Sequence, residues 1–409
     1  MTLRKIILVI LLFLPLACTT KSNSQAVKTG AEVLLDKHLD ELEGKRVGLV
    51  MNPTARVEGV HMLDTLLALD VNVTVLFAPE HGFRGDFGAG EVIKNGIDQA
   101  TGLPVFSLYG EIKKPSREML QKVDLLLFDM QDVGARFYTY NVTLGNILEA
   151  AGEHGVPVWV LDRPNPAGGN LISGWMMHEE HQSFIGAYPI PMAHGMTLGE
   201  LAKMMVGEQW IQNAAQVDLR VIEMKGWNRS TKWPQTGLKW IPPSPNLPTF
   251  KHAYAYLGTV LFEGTSFSEG RGTTDPFLKI GSPGTQISDE QITRLDQNFS
   301  GVSFERISFT PKSMPGKALY PDHEGELCHG VKITVTDPDK FNPVELGMVL
   351  LKVMLQATPG GETTDFIELL SGIDEPVLLE QLAEQSYKQK WEKTAKEFSQ
   401  KRAKYLLYD

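Results

Sequence analysis

Short apolar runs alternate with helix-like segments between residues 47 and 161, and this alternation constrains the fold more than any other feature of the chain. The apolar runs suit buried strands and are residues 47–51, 71–77, 103–109, 123–128 and 158–161. The helix-like segments between them are residues 60–69, 116–122 and 144–154. This order predicts an α/β fold with a Rossmann-like, doubly wound parallel sheet. Because the crossovers are right-handed, the carboxyl ends of the strands lie along one edge.

Three polar loops follow the predicted strands at that edge, at residues 78–91, 129–140 and 162–166. Their candidate site residues are Glu80, His81, Arg84, Glu91, Asp132, Arg136, Tyr138, Asp162, Arg163 and Asn165. Open α/β sheets place their chemistry in such loops, so we expect these side chains to form one site. The alternative for the first loop is a solvated turn, because Gly and Asp favour turns for backbone reasons.

A dinucleotide site is the obvious rival for this fold. The first predicted strand runs into residues 52–56, which lack a glycine-rich phosphate turn. Gly85, Gly88 and Gly90 have the wrong pattern, and no lysine-containing phosphate loop is present. We therefore expect neither a nucleotide nor another cofactor, since the fold alone does not imply one.

The second half of the chain predicts a smaller α/β domain, with the boundary near Pro248. The domains are then residues 33–248 and 249–409. Residues 254–262 predict a helix that leads into a polar loop with Glu263, Glu269 and Arg271. Strands at 303–308 and 331–335 and helices at 343–356 and 389–404 follow.

Two features precede the domain boundary. Thr197 and Glu200 form a capping-box pattern that opens a helix at residues 198–206, and His194 lies in the loop before it. Residues 226–249 are rich in tryptophan. Packing is the commoner role for these rings, and stacking on sugar faces is the alternative.

The amino terminus has the pattern of an export signal. Arg4 and Lys5 precede an apolar run at residues 6–17, which is shorter than the ~20 residues that a membrane-spanning helix needs. The run ends just before Cys18, as in a bacterial lipoprotein signal. We expect residues 1–18 to be the signal, Cys18 to be lipidated, and residues 19–32 to be a tether. The protein would then be anchored in the outer membrane facing the periplasm, and an ordinary secretory peptide is the alternative.

The net charge disfavours one class of partner, and the cysteine count limits the covalent links that the chain can form. The formal net charge is −10, and loss of Arg4 and Lys5 with the signal would make it −12, which argues against a nucleic-acid partner. Only Cys18 and Cys328 are present, so a lipidated Cys18 leaves no pair for an intrachain disulfide.

Carboxylates near a cleft suit glycoside hydrolysis, in which one acid protonates the leaving oxygen and a second acts as nucleophile or base. The candidates are Glu80, Glu91, Asp132, Asp162, Glu263 and Glu269, which the sequence does not pair. An N-acetylated sugar adds a third route, in which its own acetamide attacks.

A metal site is the competing use of these side chains. Oxygen and imidazole ligands for a divalent ion could come from Glu80, His81, Asp132, Asp162 and His194. No known ligand spacing is present, and residues 178–181 are not a His-Glu-x-x-His motif. We therefore predict no metal. An acyl-transfer serine is also disfavoured, because no Gly-x-Ser-x-Gly motif is present.

Several long motifs in the same order resemble the exo-β-N-acetylmuramidase family, once classed as a domain of unknown function. They are residues 77–85, 132–140, 161–166, 268–273 and 405–408. The resemblance implies a glycosidase that releases N-acetylmuramic acid from the non-reducing ends of peptidoglycan fragments. It also implies a Rossmann-like domain without nucleotide, a smaller second domain, an active cleft between them, and a catalytic glutamate near Glu80 and Glu91.

We expect Glu80 or Glu91 to be the general acid, with the other orienting or stabilising. The lactyl carboxylate of muramic acid could be clamped by Arg84, Arg136, Arg163 or Arg271. The remaining predicted substrate-binding residues are His81, Asp132, Tyr138, Asp162, Asn165, His194 and Glu269. For Asp132, a structural bond to nearby backbone is the alternative. The alternatives for the whole protein are a metal-dependent cell-wall amidase or deacetylase and a non-catalytic lipoprotein that binds muropeptides.

Overall fold

A seven-stranded sheet organises the first half of the chain in the structure, a computed structural model that describes residues 26–84 and 95–409. The predicted lipidation site Cys18 and the predicted catalytic Glu91 lie outside the described residues. The strands are β1 (Val47–Met51), β2 (Arg56–Val57), β3 (Val60–His61), β4 (Val73–Ala78), β5 (Gly96–Ile97), β6 (Pro104–Ser107), β7 (Leu125–Asp129), β8 (Val158–Leu161), β9 (Ser173–Met176), β10 (Pro191–Ala193), β11 (Leu219–Ile222), β12 (Lys279–Ser282), β13 (Val302–Phe309) and β14 (Cys328–Val335). The α-helices are α1 (Gly30–Lys37), α2 (Met62–Ala68), α3 (Arg117–Leu120), α4 (Tyr140–His154), α5 (Leu198–Gly207), α6 (Phe250–Thr259), α7 (Asp289–Asn298), α8 (Pro343–Ala357), α9 (Phe366–Ser371), α10 (Glu375–Glu384) and α11 (Tyr387–Arg402).

The strand order of this sheet is β11-β8-β7-β1-β4-β6-β5, and all neighbours are parallel except β5 and β6. The parallel strands therefore follow the doubly wound order, in which the chain leaves β1 in both directions. The predicted fold class is confirmed. The crevice that this reversal creates lies beside the carboxyl end of β1, where such folds bind ligands.

The central strands are apolar because both of their faces are covered. Leu125 and Leu127 of β7 point into the core on one face, and Leu126 and Phe128 point into the core on the other. The second of these cores continues into the C-terminal domain, where it includes Val331. The two domains therefore share a continuous apolar interior.

Two helix starts illustrate how local sequence sets the elements. The predicted capping box at α5 is present, since the Thr197 hydroxyl accepts from the Glu200 amide and the Glu200 side chain accepts from the Thr197 amide. Helix α4 begins earlier than predicted, at Tyr140. The Asn141 side chain donates to the carbonyls of Arg136 and Tyr138, which folds the preceding loop onto the first turn.

The folded domain begins within the segment predicted to be a tether. Thr29 caps α1, and the buried Val27 packs with Met224 and Trp227. Residues 27–32 therefore belong to the domain and not to a linker. Packing also explains the tryptophan-rich segment, because the rings of Trp233 and Trp240 meet edge to face with centroids 5.0 Å apart.

The C-terminal domain is a smaller α/β layer built on the antiparallel sheet β12-β14-β13. Helices α6 and α8 cross closely, since a side chain at Gly258 would collide with the Pro343 carbonyl. Helix α11 then returns to the first domain, where Trp391 packs edge to face on Trp175. Within residues 26–84 and 95–409, every helix is too short or too polar to span a bilayer.

Candidate active site

A pocket opens between the two domains at the carboxyl edge of the large sheet. The empty space between its walls, including the open mouth, is about 500 Å³. The polar side chains that line it include Glu80, His81, Tyr138, Thr139, Glu263 and Arg271. Two of the predicted polar loops and the predicted loop of the second domain therefore meet at this pocket.

Larger clefts exist elsewhere on the part of the surface that the structure describes. The cleft at the opposite edge of the sheet is lined by Asp124 and Glu153. Those carboxylates are already paired with Arg46 and Lys114.

Glu80 lies two residues beyond the end of β4 and is oriented by the start of α4. The Thr139 hydroxyl, at the amino end of that helix, donates to Glu80 Oε2 at 2.9 Å. The amino end of a helix favours a negative charge, so the carboxylate lies in a matching field. On the other side, burial raises the pKa of Tyr109, and the nearby Glu80 carboxylate raises it further.

His81, the next residue, is buried and lines the pocket. Its φ of 72° lies in the left-handed region, which costs a non-glycine residue about 1–3 kcal/mol. The chain therefore turns sharply after Glu80, so that consecutive side chains both reach the pocket.

Arg271 enters from the second domain and is held between two glutamates. Its guanidinium lies 2.6 Å from Glu263 Oε1 and 3.5 Å from Glu269 Oε1, and it covers the ring of Phe277 with 5.1 Å to the ring centroid. Glu269 lies behind Arg271, where a hydrogen bond from the Phe277 amide to the Glu269 carbonyl fixes its backbone. The predicted residues Glu269 and Arg271 thus form one cluster with Glu263.

Burial disfavours the ionised form of both glutamates in this cluster. Burial raises the pKa of Glu269 to about 7, against a lowering effect of Arg271. Burial also raises the pKa of Glu263, and the negative charge of Glu80 across the pocket adds to that increase while Arg271 opposes it. A carboxylic acid that stays protonated at neutral pH can donate a proton to a leaving group.

Asp132 and His194 lie beneath the pocket floor and not on it. His194 Nδ1 accepts from the Met196 amide at 3.2 Å, which places its proton on Nε2, 3.7 Å from Asp132 Oδ2. The same Asp132 oxygen accepts from the Gly134 amide at 2.6 Å, as expected for a structural role. Asp132 also adds a negative charge near the pocket. The pKa of Tyr256 is raised mainly by burial and by the charge of Glu263, and the charge of Asp132 raises it further.

The predicted Arg84 lies away from the pocket in a carboxylate clamp. Its Nε donates to Asp98 Oδ1 at 2.7 Å, and its Nη2 donates to Asp64 Oδ1 at 3.2 Å. Arg84 thus joins α2 to residues 95–98, and it does not line the pocket.

Arg136 is likewise occupied by the scaffold. The side chain is fully buried and donates to the carbonyls of Trp175 and Leu370, each at 2.7 Å. Burial lowers its pKa to about 9. Because Leu370 belongs to α9, Arg136 ties the two domains together and does not reach the pocket.

The third polar loop also faces the scaffold. Arg163 forms a buried ion pair with Asp129, and Asn165 donates to the Met196 carbonyl at 3.0 Å. Asp162 is fully buried and accepts hydrogen bonds from Thr197 and Tyr408, each at 2.7 Å. Burial raises the pKa of Asp162 to about 7. These residues hold α5 and the C-terminal end of the chain against the sheet. A sequence motif does not show whether its polar side chains have such a structural role or bind a ligand.

Sequence reasoning did not identify three polar residues of the pocket wall, Thr139, Ser244 and Tyr256. Tyr256 lies in an apolar helical stretch, where a tyrosine indicates core packing, and its ring does pack edge to face on Phe137. Thr139 belongs to the motif at residues 132–140. Its position at the start of a helix is the feature that could have indicated a functional role.

The predicted metal candidates do not gather into a ligand set in the part of the chain that the structure describes. The group with suitable spacing there is Glu180, His181 and Asp374, of which both acids are exposed. His181 Nε2 lies 2.9 Å from Asp374 Oδ1, so the group also serves as a contact between domains.

Known proteins match this chain over nearly its whole length. Two family models match, the N-terminal domain of "Exo-beta-N-acetylmuramidase NamZ" at residues 47–251 and its C-terminal domain at residues 254–408. The "Peptidoglycan beta-N-acetylmuramidase NamZ" of Bacillus subtilis (strain 168) is 43% identical over 396 residues, which cover 93% of this chain and 91% of that protein.

Two crystal structures of DUF1343 family proteins from Bacteroides fragilis NCTC 9343 have the same fold. Their TM-scores are 0.82 and 0.79, with 33% and 35% identity, and each match covers 94% of this chain and 99% of the other. The resemblance inferred from the sequence motifs is confirmed. The chain belongs to the exo-β-N-acetylmuramidase NamZ family.

Proposed function

We propose that this protein is a glycoside hydrolase that removes N-acetylmuramic acid from the non-reducing ends of peptidoglycan fragments. The observation that carries the proposal is the pocket that brings Glu80, Glu263 and Arg271 together between the domains. Membership of the muramidase family supports the same reaction and substrate. A pocket, in contrast to an open groove, suits an enzyme that takes the end of a chain.

Arg271 is the proposed partner of the lactyl carboxylate. The other three candidate arginines, Arg84, Arg136 and Arg163, do not line the pocket. Arg271 lines the pocket, and its side chain is 27% exposed. Its guanidinium can therefore present N–H donors to an anionic sugar substituent.

Two carboxyl groups can then share the hydrolytic step. Glu263, whose pKa is raised by burial, is suited to hold the proton that the leaving oxygen needs. Glu80, which accepts a hydrogen bond from Thr139, presents a carboxylate for stabilising the positive charge that develops on the sugar. Glu91 lies outside the described residues and stays a candidate for either role.

The experiment is incubation of the purified protein with the disaccharide of N-acetylmuramic acid and N-acetylglucosamine, with and without EDTA. Mass spectrometry then follows the products. Release of N-acetylmuramic acid that EDTA does not change supports the proposal. Activity lost on chelation, with an amide bond cleaved, would favour the metal-dependent amidase or deacetylase, and binding without any product would favour the muropeptide-binding protein.

We further propose that the protein is a lipoprotein anchored through Cys18 in the outer membrane, facing the periplasm. The apolar run at residues 6–17 followed by Cys18 supports this location. Since Val27 already packs on the domain, about eight residues would join the lipid to the fold, a reach of at most ~30 Å. Fractionation of cells that produce wild type or Cys18→Ser tests it. The variant should leave the membrane fraction, and equal retention of both forms would contradict the anchor.

A further inference from the structure

A long loop at residues 310–327, between β13 and β14, carries the most exposed large aromatic side chain of the described residues. Tyr320 is 91% exposed, whereas its neighbour Pro321 is buried. An aromatic ring with nearly all of its surface in water contributes little to folding. Its position on the molecule therefore decides whether it has another use.

The loop is fastened to the pocket wall that carries Arg271. The Lys312 amide donates to the Gly272 carbonyl at 3.0 Å, directly after Arg271 in the chain. Gly272 has a φ of 76°, and a Cβ there would lie 2.7 Å from the Pro321 ring. Only glycine permits this approach, which fixes Pro321, and therefore the end of the Tyr320 backbone, beside Arg271.

The same loop is also fastened at a second point. The Asn246 side chain donates to the Lys317 carbonyl at 3.0 Å, and Asn246 adjoins the pocket-lining Leu247. Tyr320 therefore lies between two held points: Lys317, whose carbonyl accepts from Asn246, and Pro321, which packs close to Gly272. Asn246 and Gly272 each adjoin a residue of the pocket lining, so the loop lies next to the pocket.

Electrostatics support the same placement. Burial is the main cause of the raised pKa of Glu263 and of Glu269. The negative charge of Asp322 makes a smaller contribution that raises both pKa values further. Asp322 is two residues from Tyr320, so this part of the loop lies close to the acidic cluster.

We propose that Tyr320 is a substrate-binding residue that stacks on the sugar following the cleaved bond. This inference rests on the proposed exo-muramidase function. If the pocket holds the terminal sugar, the rest of the bound peptidoglycan fragment must extend out of the pocket mouth and past its rim. An exposed aromatic face there offers a flat apolar surface for a sugar ring, with a hydroxyl that stays in water.

The test compares wild type with Tyr320→Ala and Tyr320→Phe on two substrates. One is the disaccharide of N-acetylmuramic acid and N-acetylglucosamine, and the other is an N-acetylmuramoside whose leaving group is azide, too small to stack. For Tyr320→Ala we expect KM for the disaccharide to rise about tenfold, in line with typical aromatic contacts, with little change in kcat. Tyr320→Phe should retain the wild-type KM, and both variants should match wild type on the azide.

Leu327→Ala is the matched control, since Leu327 is an exposed apolar residue, 57% accessible, at the far end of the same loop. It should leave KM unchanged on both substrates. An unchanged disaccharide KM in Tyr320→Ala, or an equal rise on both substrates, would overturn the inference. A wild-type protein that releases no N-acetylmuramic acid from either substrate would instead overturn the proposed function.

Discussion

The Arg271 guanidinium lies 2.6 Å from Glu263 Oε1, and this ion pair forms the wall of the pocket that the second domain contributes. Glu80 faces it from the first domain. The pair therefore places a cation and a second acid opposite the acid at the end of β4. Neither domain alone holds the complete set, which makes the junction between them the functional centre of the molecule.

Removal of the Arg271 charge should impair recognition of the muramic acid carboxylate. We expect Arg271→Gln to lower kcat/KM on the muramic acid disaccharide about 100-fold, since a hydrogen bond to a charged group contributes roughly 1.5–3 kcal/mol. Arg84→Gln is the control, because Arg84 is also partly exposed and paired with acids but lies outside the pocket. Steady-state kinetics of both variants would contradict the assignment if Arg84→Gln lost as much as Arg271→Gln.

The two pocket carboxylates should be needed for turnover and not for folding. We expect Glu80→Gln and Glu263→Gln each to reduce kcat about a thousandfold, within the range for loss of acid–base catalysis, with circular dichroism spectra like wild type. Glu91→Gln belongs in the same series, because Glu91 is the other predicted catalytic residue. Wild-type activity in both Glu80→Gln and Glu91→Gln would refute the catalytic assignment from sequence.

Activity should fall as the pH rises through about 7. Glu269 has a pKa of about 7, so the cluster loses the Glu269 proton as the pH rises through that value. The pH profile of kcat tests this, and Glu269→Gln should remove the step near pH 7 while activity below it remains. A wild-type rate that is constant from pH 6 to 9 would argue against a proton held in this cluster.

The same proton has a consequence for stability. The folded-state pKa of Glu269 lies above its unfolded value of about 4.3, so its stabilising contribution is present below that pH and is lost as the pH rises towards 7. Thermal unfolding between pH 5 and 7.5 should therefore show a smaller decrease in Tm with pH for Glu269→Gln than for wild type. Parallel curves would show that Glu269 is ionised throughout.

The contact between Tyr408 and Asp162 should stabilise the fold without serving catalysis. Tyr408→Phe removes a donor to a fully buried carboxyl group, which should lower the free energy of unfolding by about 1–3 kcal/mol. Tyr405→Phe is the control, because its partner Glu208 is partly exposed and keeps Lys401 and Lys404. We expect its cost to be below about 1 kcal/mol, as for exposed ion pairs. Denaturant titration measures both, and a loss of kcat in folded Tyr408→Phe would contradict a purely structural role.

The strands of the large sheet could be predicted from the sequence where burial produces an apolar run. β1, β7 and β8 are covered on both faces and appear as continuous apolar runs. β11 was not predicted, because it is an edge strand, is only partly buried, and contains Arg220. The sheet edge at which the pocket lies could be predicted only from the rule that such folds bind ligands at the carboxyl ends of their parallel strands.

The candidate site could be predicted only in part. The polar loops identified the correct edge, but Arg136, Asp162 and Arg163 have the same residue types as a sugar site while their contacts are with the scaffold. Whether a side chain points inward depends on the packing of distant segments, such as α9 against Arg136 and Tyr408 against Asp162. A local motif contains no information about either partner.

The most direct measurement is the order in which products appear from a defined tetrasaccharide of alternating N-acetylmuramic acid and N-acetylglucosamine, with N-acetylmuramic acid at the non-reducing end and a reduced, labelled opposite end. Mass spectrometry of early time points should show free N-acetylmuramic acid and a labelled trisaccharide as the first products. Disaccharides as the first products, or an intact glycan that loses only acetyl groups, would contradict the account.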